Sequence, residues 1–306
     1  MASPSERVLV TGARGFTGRY LCSRLRADGY QVVGLTESLP SRAGDVHANL
    51  LDAAATAQAV ELARPDRVVH LAALSFVAHD DVEATYKVNL LGSLALLQAL
   101  AAQSTPIRSV ILASSAAVYG NVEAGAIDET MPAAPVSHYG ASKLAMEHMA
   151  ATFRDRLPIV VVRPFNYTGP GQAEQFAVPK IVAHFRRKAA AIDLGNIDVV
   201  REFMDVRNIA EIYRRLLDCE PAIGQTVNIC TGRGVSLREV IAALEAQTGH
   251  HAEIRVDPRL VRANEVRRLV GSPRKLQSLI GSLPEIPLAA TLGEMLASGQ
   301  TGDANR

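Results

Sequence analysis

The sequence predicts an α/β protein built on a doubly wound, mainly parallel sheet. Short apolar runs alternate with helical patterns through the first half of the chain, the order expected of parallel strands joined by helices. The first run, residues 7–11, leads directly into a glycine-rich turn and a helical pattern. With 306 residues, 48% of them hydrophobic, the chain can bury a large core in one or two domains.

The predicted elements follow one another regularly as far as residue 163. After the first strand, five more are predicted at residues 30–35, 46–51, 67–71, 109–113 and 158–163. Helices are predicted from the glycine turn to about residue 29 and at residues 54–63, 82–102 and 139–156. Pro164 then ends the sixth strand.

The regular alternation stops after Pro164. A Gly- and Pro-rich loop is predicted at residues 165–175 and a hairpin around Gly195-Asn196, within residues 193–203. A further strand is predicted at 226–229, and helices are predicted at 177–190, 206–217 and 236–248. In the last helix Ser236 and Glu239 have the spacing of a capping box.

This organisation predicts a Rossmann-type domain followed by a smaller C-terminal substrate-binding lobe. We expect the dinucleotide-binding domain to comprise residues 1–165, with 204–232 returning to it. The lobe would comprise 166–203 and 233–300, and 301–306 would be a frayed tail. The lobe should close over the carboxyl edge of the sheet, where ligands of open α/β sheets bind.

Composition argues against several classes of partner. The formal net charge is only +1, which does not favour nucleic acid or an anionic membrane. No apolar run is long enough to span a bilayer, and the N-terminus shows no secretory signal. Cys22, Cys219 and Cys230 have no metal-ligand spacing, so we predict no metal site and expect a reducing cytoplasm.

The glycine-rich turn after the first strand predicts dinucleotide binding. Gly12, Gly15 and Gly18 would allow a tight turn, close approach of the backbone to a pyrophosphate, and close helix packing. The free amides at the start of the following helix would then face the phosphates. The complete predicted cofactor set is Gly12, Arg14, Gly15, Phe16, Thr17, Gly18, Thr36, Asn49, Leu50, Leu71, Ala72, Ala73, Tyr139 and Lys143.

The choice between NADP and NAD depends on the end of the second strand. An acid that holds a ribose 2′-hydroxyl usually follows that strand, but Thr36 occupies the position and Glu37 comes one residue later. Thr36 would not repel a 2′-phosphate, and Arg14 could pair with one, whereas Glu37 favours NAD. We therefore favour NADP(H) slightly and keep NAD(H) as the alternative.

Tyr139 and Lys143 predict proton transfer to or from an alcohol or carbonyl oxygen. Four residues apart, they would share one helix face, where the ammonium would stabilise the phenolate and lower the pKa of the phenol. Ser115, at the end of the fifth strand, could bind the same substrate oxygen. Asn89 could hold the edge of the fourth strand or a water molecule.

These residues resemble the extended short-chain dehydrogenase/reductases that act on nucleotide sugars. The resemblance rests on the segments 11–18, 71–73, Asn89, 114–120 and 139–143. More specific segments are similar to the GDP-mannose 4,6-dehydratases and their partner reductases, namely 163–172, 195–196 with 201–207, and 262–266 with 271–272.

The resemblance implies an NAD(P)H-dependent reductase of a nucleotide-linked 4-keto-6-deoxy sugar, with GDP-4-keto-6-deoxy-D-mannose favoured, and a homodimer. Tyr139 would be the general acid, Lys143 would contact the nicotinamide ribose, and Ser115 would orient the sugar carbonyl. Arg201 and Arg262 would pair with the diphosphate. The implied substrate-binding residues are Ser75, Ser115, Asn166, Val178, Lys180, Arg201, Arg262 and Glu265.

One departure from the family pattern separates its branches. The dehydratases carry a carboxylate two residues before the tyrosine of the Tyr119-Gly120 pair, and here that position is Ala117, preceded by Ala116. Alanine cannot remove a proton, although Glu123 or Asp128 could fold back. Reduction and 4-epimerisation are therefore both favoured over dehydration. A non-catalytic nucleotide sensor is disfavoured, because it would not need a proton donor.

Overall fold

The structure is a computed structural model that describes residues 6–37, 42–75, 81–122, 125–261 and 266–298. Its strands are β1 (Arg7–Thr11), β2 (Gln31–Thr36), β3 (Val46–His47), β4 (Arg67–His70), β5 (Ser109–Ala113), β6 (Ile159–Pro164), β7 (Tyr167–Thr168), β8 (Ala191–Leu194), β9 (Val200–Arg201), β10 (Met204–Asp205), β11 (Thr226–Ile229), β12 (Val235–Ser236) and β13 (Glu253–Val256). Its α-helices are α1 (Phe16–Ala27), α2 (Ala53–Ala63), α3 (Val82–Tyr86), α4 (Ser93–Ala101), α5 (His138–Ala151), α6 (Ala177–Arg186), α7 (Val206–Leu217), α8 (Leu237–Thr248), α9 (Arg274–Ile280) and α10 (Leu288–Ser298). Short 3₁₀ turns lie at Ala116–Val118, Glu220–Ala222 and Pro258–Leu260.

A seven-stranded sheet forms the centre of the molecule, in the order β11-β6-β5-β4-β1-β2-β3. Each neighbouring pair is parallel, which confirms the predicted doubly wound α/β fold. Helices cover both faces, so the inner strands are buried on both sides and are continuous apolar runs in the sequence.

Two apolar layers sandwich the sheet. On one face α1 and α7 pack against the strands through side chains such as Leu21 and Ile209. On the other face α2, α4 and α5 contribute side chains such as Leu96 and Met146. Cys22 and Cys230 are buried in the core.

The second half of the chain builds a smaller layer beside the carboxyl edge of the sheet. Helices α6, α8 and α10 share an apolar core that includes Val178, Phe185, Val240 and Leu292. The capping box of α8 is confirmed, with both Ser236–Glu239 hydrogen bonds present. The division of the chain into two domains stays a prediction.

The predicted hairpin at residues 193–203 is wrong. Strand β8 pairs in parallel with β13, and β9 pairs antiparallel with β12, so β8 and β9 do not pair with each other. Both partner strands lie more than thirty residues further along the chain. A local turn signal at Gly195-Asn196 therefore could not reveal the pairing, which depends on tertiary contacts.

Four predicted elements differ from the structure in their bounds or their internal geometry. The third strand contains only Val46–His47, because the chain turns at Asn49 and Asp52 then caps α2. The helix predicted at 82–102 is continuous but contains a π-helical segment, Lys87–Gly92, between α3 and α4. Helices α5 and α6 end earlier than predicted, at Ala151 and Arg186. None of the helices in the described ranges is both long and apolar enough to span a membrane.

Candidate active site

A cavity of about 1590 Å³ lies over the carboxyl edge of the sheet. It is lined by residues that follow β1, β4, β5 and β6 and by residues of the C-terminal layer. Pockets for a single small ligand usually enclose about 300–1,000 Å³. The cavity therefore has room for a dinucleotide and a second ligand together.

The structure brings the predicted cofactor residues together along this cavity. The full set lines it: Gly12, Arg14, Gly15, Phe16, Thr17, Gly18, Thr36, Asn49, Leu50, Leu71, Ala72, Ala73, Tyr139 and Lys143. Their separation in the sequence is bridged by the parallel sheet, whose strand ends meet at one edge.

The glycine turn fits a pyrophosphate by its shape. Gly12 has φ +66°, and a Cβ atom there would lie 2.9 Å from the amide nitrogen of Ala72. A Cβ atom on Gly18 would lie 2.2 Å from the carbonyl oxygen of Gly12. No side chain caps the N-terminus of α1 and no acid lies in its first turn, so its amides can bind an anion.

The part of the cavity beside Thr36, where the adenosine ribose is expected, carries features suited to both NAD and NADP. Thr36 is buried, and Glu37 accepts a hydrogen bond from Nδ2 of Asn49 at 3.1 Å. Arg14 lines the same part of the cavity. A carboxylate at this place suits a free 2′-hydroxyl and a guanidinium suits a 2′-phosphate, so NAD and NADP are both consistent with the site.

The cavity is strongly asymmetric in charge. Glu37 is the only acid among the described residues that line it. The basic lining residues are Arg14, Lys143, Lys180, Arg201 and Arg259. A concave surface with this balance attracts anionic ligands such as diphosphates.

Ser115 and Tyr139 meet at the centre of the cavity. Ser115 follows β5 and begins a 3₁₀ turn, where its Oγ accepts a hydrogen bond from the amide of Ala117 at 3.1 Å. Tyr139 lies in the first turn of α5, which Ser137 caps. The Ser115 hydroxyl acts to lower the pKa of the Tyr139 phenol, and both groups line the cavity, so both can contact one substrate oxygen.

Lys143 lies one turn further along α5, with 3% exposure. Its Nζ donates a hydrogen bond to the carbonyl oxygen of Ala113 at 2.7 Å. Burial lowers the pKa of Lys143 to about 8, although the Glu147 carboxylate acts in the opposite direction. The ammonium is therefore partly titrated within the working range of pH.

The pKa of the Tyr139 phenol differs from the sequence-based expectation. Burial raises the pKa of Tyr139 to about 12, and the Ser115 hydroxyl offsets this only in part. The predicted lowering by Lys143 is wrong for this structure, because that ammonium donates to the main chain and the phenol is desolvated. Tyr139 thus remains protonated across the neutral range, as a proton donor requires.

Asn89 secures the main chain beneath the site. Its side chain accepts a hydrogen bond from the amide of Leu74 at 2.9 Å and donates to the carbonyl of Leu74 at 3.1 Å, just beyond β4. It also donates to Oγ of Ser142 at 3.0 Å, and Ser142 donates to the carbonyl of Tyr139. Asn89 lies in the π-helical segment, a distortion often found at functional sites.

The same network continues under the glycine turn through a buried histidine. Ser93 donates its hydroxyl proton to the carbonyl of Asn89, so it must accept from Nε2 of His70, at 2.8 Å. Nδ1 of the neutral ring then accepts from the Thr11 hydroxyl at 2.7 Å, and Thr11 accepts from the amide of Ala72. Burial lowers the pKa of His70 to about 3, so the ring stays neutral and fixes the two strand ends.

We expect kcat/KM for the dinucleotide to fall as pH rises through about 8. Lys143 is protonated below its pKa and loses its proton above it, and with it a charged donor to the cofactor. Tyr139 cannot cause this decrease, since its pKa is about 12. The pH profile of kcat/KM reports groups of the free enzyme and is the measurement to make.

Lys143→Arg provides the control for this prediction. A guanidinium keeps its proton at every pH in the assay, so the decrease above pH 8 should disappear from whatever activity remains. If the decrease persisted in Lys143→Arg, another group would have to be responsible for it.

The part of the cavity bounded by the C-terminal layer, here called the substrate end, contains most of the predicted substrate-binding residues. Ser75, Asn166, Lys180 and Arg201 line it. Nζ of Lys180 donates to the carbonyl of Asp193 at 2.7 Å, and the Arg201 guanidinium donates to the carbonyl of Val200 at 2.9 Å. These contacts orient the two cations within the C-terminal layer.

One predicted substrate residue, Val178, is not brought to the cavity. The side chain of Val178 is 2% exposed and packs in the core of α6, α8 and α10, because it lies on the apolar face of α6. Arg262 and Glu265 lie outside the described residues, as do Glu123 and the tail 301–306. Their predicted roles stay predictions.

Sequence reasoning missed other lining residues. Tyr167 follows β6 and its hydroxyl lies 2.7 Å from Oγ1 of Thr17, while its ring stacks on Phe16 with centroids 6.2 Å apart. Its place after a parallel strand could have indicated it. Arg259 comes from a distant segment and had no local signal.

Alanines occupy the position where the sequence comparison expects a carboxylate in dehydratases. Ala116 and Ala117 line the cavity beside Ser115. Asp128 does not line it: its carboxylate accepts hydrogen bonds from the amide and hydroxyl of Thr130, at 2.9 and 2.5 Å. Within the described residues, no carboxylate therefore reaches the catalytic end of the cavity.

Comparison with known proteins agrees with this geometry. The chain is 35% identical to a GDP-6-deoxy-D-talose 4-dehydrogenase of Aggregatibacter actinomycetemcomitans, over 90% of this chain and 92% of that protein. It is 32% identical to a GDP-6-deoxy-D-mannose reductase of Pseudomonas aeruginosa, over 97% of this chain and 98% of that protein.

Two solved structures share the fold over nearly the full length. One is described as a putative epimerase from Burkholderia cenocepacia J2315, with 46% identity, a TM-score of 0.89 and coverage of 97% of this chain and 99% of that chain. The other is RMD from Pseudomonas aeruginosa complexed with NADPH, with 33% identity, a TM-score of 0.84 and coverage of 96% and 98%. A sequence model described as GDP-mannose 4,6 dehydratase matches residues 9–295. The chain therefore belongs to the GDP-mannose 4,6-dehydratase family of short-chain dehydrogenase/reductase-like enzymes.

Proposed function

We propose that this protein is an NAD(P)H-dependent reductase of a GDP-linked 4-keto-6-deoxy sugar, with GDP-4-keto-6-deoxy-D-mannose as the favoured substrate. The observation that carries the proposal is the catalytic end of the cavity. A protonated Tyr139 and the hydroxyl of Ser115 lie there beside Ala116 and Ala117, and none of the described carboxylates reaches them. The names of the two relatives, both concerned with GDP-6-deoxyhexoses, support the choice of substrate.

The roles of the catalytic residues follow from their placement. A bound NAD(P)H would supply hydride to the carbonyl carbon. Ser115 donates a hydrogen bond to the carbonyl oxygen and holds it near the phenol. Tyr139 gives its proton to that oxygen as negative charge develops there. Lys143, one turn further along α5, would contact the nicotinamide ribose.

The cations of the C-terminal layer would bind the sugar nucleotide. Arg201 and Lys180 lie at the substrate end and are held by main-chain carbonyls, so their charges point into a defined region. Guanidinium and ammonium groups are the usual partners of phosphate oxygens. We therefore assign these two side chains to the GDP diphosphate.

The purified protein should oxidise NADPH or NADH when the 4-keto-6-deoxy sugar nucleotide is supplied, and should not dehydrate GDP-mannose. Elimination requires a base for the C5 proton, and Ala117 cannot serve as one. Absorbance at 340 nm measures reduction, and chromatography of sugar nucleotides measures dehydration. Formation of keto sugar from GDP-mannose by this protein alone would contradict the second expectation.

A 4-epimerase is the second candidate, because the Burkholderia structure is described as a putative epimerase. An epimerase passes hydride from the substrate to its cofactor and back, so it consumes no cofactor. Interconversion of two sugar nucleotides at constant NAD(P)H would therefore favour this candidate. Consumption of one cofactor per sugar would favour the reductase.

We also propose a homodimer that pairs α5 and the helix running from α3 to α4. Leu91 on the π-helical segment is 50% exposed, and Val82 on α3 is 37% exposed, although both helices already pack on the sheet. Apolar side chains left on an exposed face favour burial against a second copy.

Light scattering at micromolar concentration should show a dimer, and Leu91→Glu should weaken it. Leu62→Glu is the matched control, because Leu62 is 73% exposed on α2, away from the proposed interface. A monomer in the unmodified protein, or equal effects of both substitutions, would contradict the proposal.

A further inference from the structure

Glu147 joins the catalytic helix to two strand ends. It lies on α5 one turn after Lys143, and its side chain is 9% exposed. Its carboxylate accepts two hydrogen bonds from Arg163, with Nε–Oε1 2.9 Å and Nη2–Oε2 2.6 Å, and a third from the hydroxyl of Ser114. Ser114 immediately precedes Ser115, so one carboxylate connects the helix of Tyr139 and Lys143 to the ends of β5 and β6.

Glu147 also has an electrostatic effect on Lys143. Lys143 lies near the neutral ring of His70 on β4 and donates to the carbonyl of Ala113 on β5. Among the described groups, the Glu147 carboxylate is the charge that favours the ammonium form of Lys143.

Arg163 is the direct partner of Glu147. Its guanidinium stacks over the ring of Tyr119, with Cζ 4.8 Å from the ring centroid. Glu147 therefore acts on two buried cations, on Arg163 through hydrogen bonds and on Lys143, one turn away on α5, through its charge. A buried cation without a neighbouring anion strongly favours its neutral form.

We propose that Glu147 is a positioning residue of the reaction: it holds Lys143 and Ser115 in register across α5, β5 and β6, and it provides the negative charge beside Lys143. Glu147 contacts neither ligand in this assignment and acts through its neighbours. The proposal rests on the function proposed above, but its effect on cofactor binding requires no sugar substrate.

Glu147→Gln tests the proposal, because the amide keeps the shape of the side chain and removes its charge. The alkaline decrease in kcat/KM for the dinucleotide should move from about pH 8 to lower pH. If the pKa of Lys143 falls by one unit, the decrease in kcat/KM relative to the unmodified protein is about fivefold larger at pH 8 than at pH 6. The dissociation constant of NADPH or NADH, measured by fluorescence without sugar, should show the same pH-dependent loss.

Two further variants separate charge from structure. Ser114→Ala removes one hydrogen bond and keeps the charge, so its alkaline decrease should remain near pH 8. Should Glu147→Gln fail to fold, Glu147→Gln combined with Arg163→Met removes both charges of the buried pair and should show the same shift. The proposal would be overturned if the alkaline decrease in kcat/KM stayed near pH 8 in folded Glu147→Gln or in the double variant. It would also be overturned if either variant lost the same fraction of kcat/KM at every pH.

Discussion

Tyr139→Phe is expected to lower kcat by roughly 10²–10⁴-fold, the usual contribution of a positioned proton donor. The phenol lines the cavity with Ser115 and remains protonated, with a pKa of about 12, so it is the group placed to protonate the substrate oxygen. Phenylalanine keeps the ring and its packing at the start of α5. The affinity for NAD(P)H should therefore change little, which fluorescence titration can check beside steady-state rates.

Tyr86→Phe is the matched control for this substitution. Tyr86 ends α3 and its hydroxyl lies 3.4 Å from Nδ1 of His138, the residue before Tyr139, but it does not line the cavity. Its loss should leave kcat nearly unchanged. Near-normal turnover by Tyr139→Phe would mean that another group donates the proton.

Gly18→Ala is expected to raise the dissociation constant of the dinucleotide by about 10- to 100-fold. The new Cβ atom would lie 2.2 Å from the carbonyl oxygen of Gly12 and 2.8 Å from Ala13, both backbone groups that must move. Forcing an extra methyl group into a packed site typically costs about 1–3 kcal/mol, which corresponds to this range of affinity.

Gly125→Ala adds the same methyl group at a place where, apart from its chain neighbours, the described residues have no heavy atom within 4 Å of it. Its effect on cofactor affinity should be negligible. Equal affinities for Gly18→Ala and the unmodified protein, measured by fluorescence titration, would mean that the pyrophosphate binds elsewhere.

The parts of the protein that are predictable from its sequence depend on local patterns. Strands β1, β4, β5 and β6 are apolar runs because helices cover both faces of the sheet, and this pattern is visible without coordinates. The glycine turn and the spacing of Tyr139 and Lys143 are equally local. That position 117 carries alanine and not an acid can also be recognised from the sequence alone, once the segment is matched to its family.

Other features depend on residues that are distant along the chain. Strand β8 pairs with β13, which no local signal at Gly195 could indicate. The hydrogen bonds from Thr11 through His70 to Ser93 span 82 residues, because the sheet places β1 beside β4.

The protonation of the site also belongs to the tertiary structure. The spacing of Tyr139 and Lys143 predicts that they share a helix face, but it contains no information on the solvent around them. Burial sets the pKa of Tyr139 near 12 and that of Lys143 near 8. Chain order therefore determines which reactive groups are present and which share an element. Packing determines their charge, since the cost of a charge depends on every group that excludes water from it.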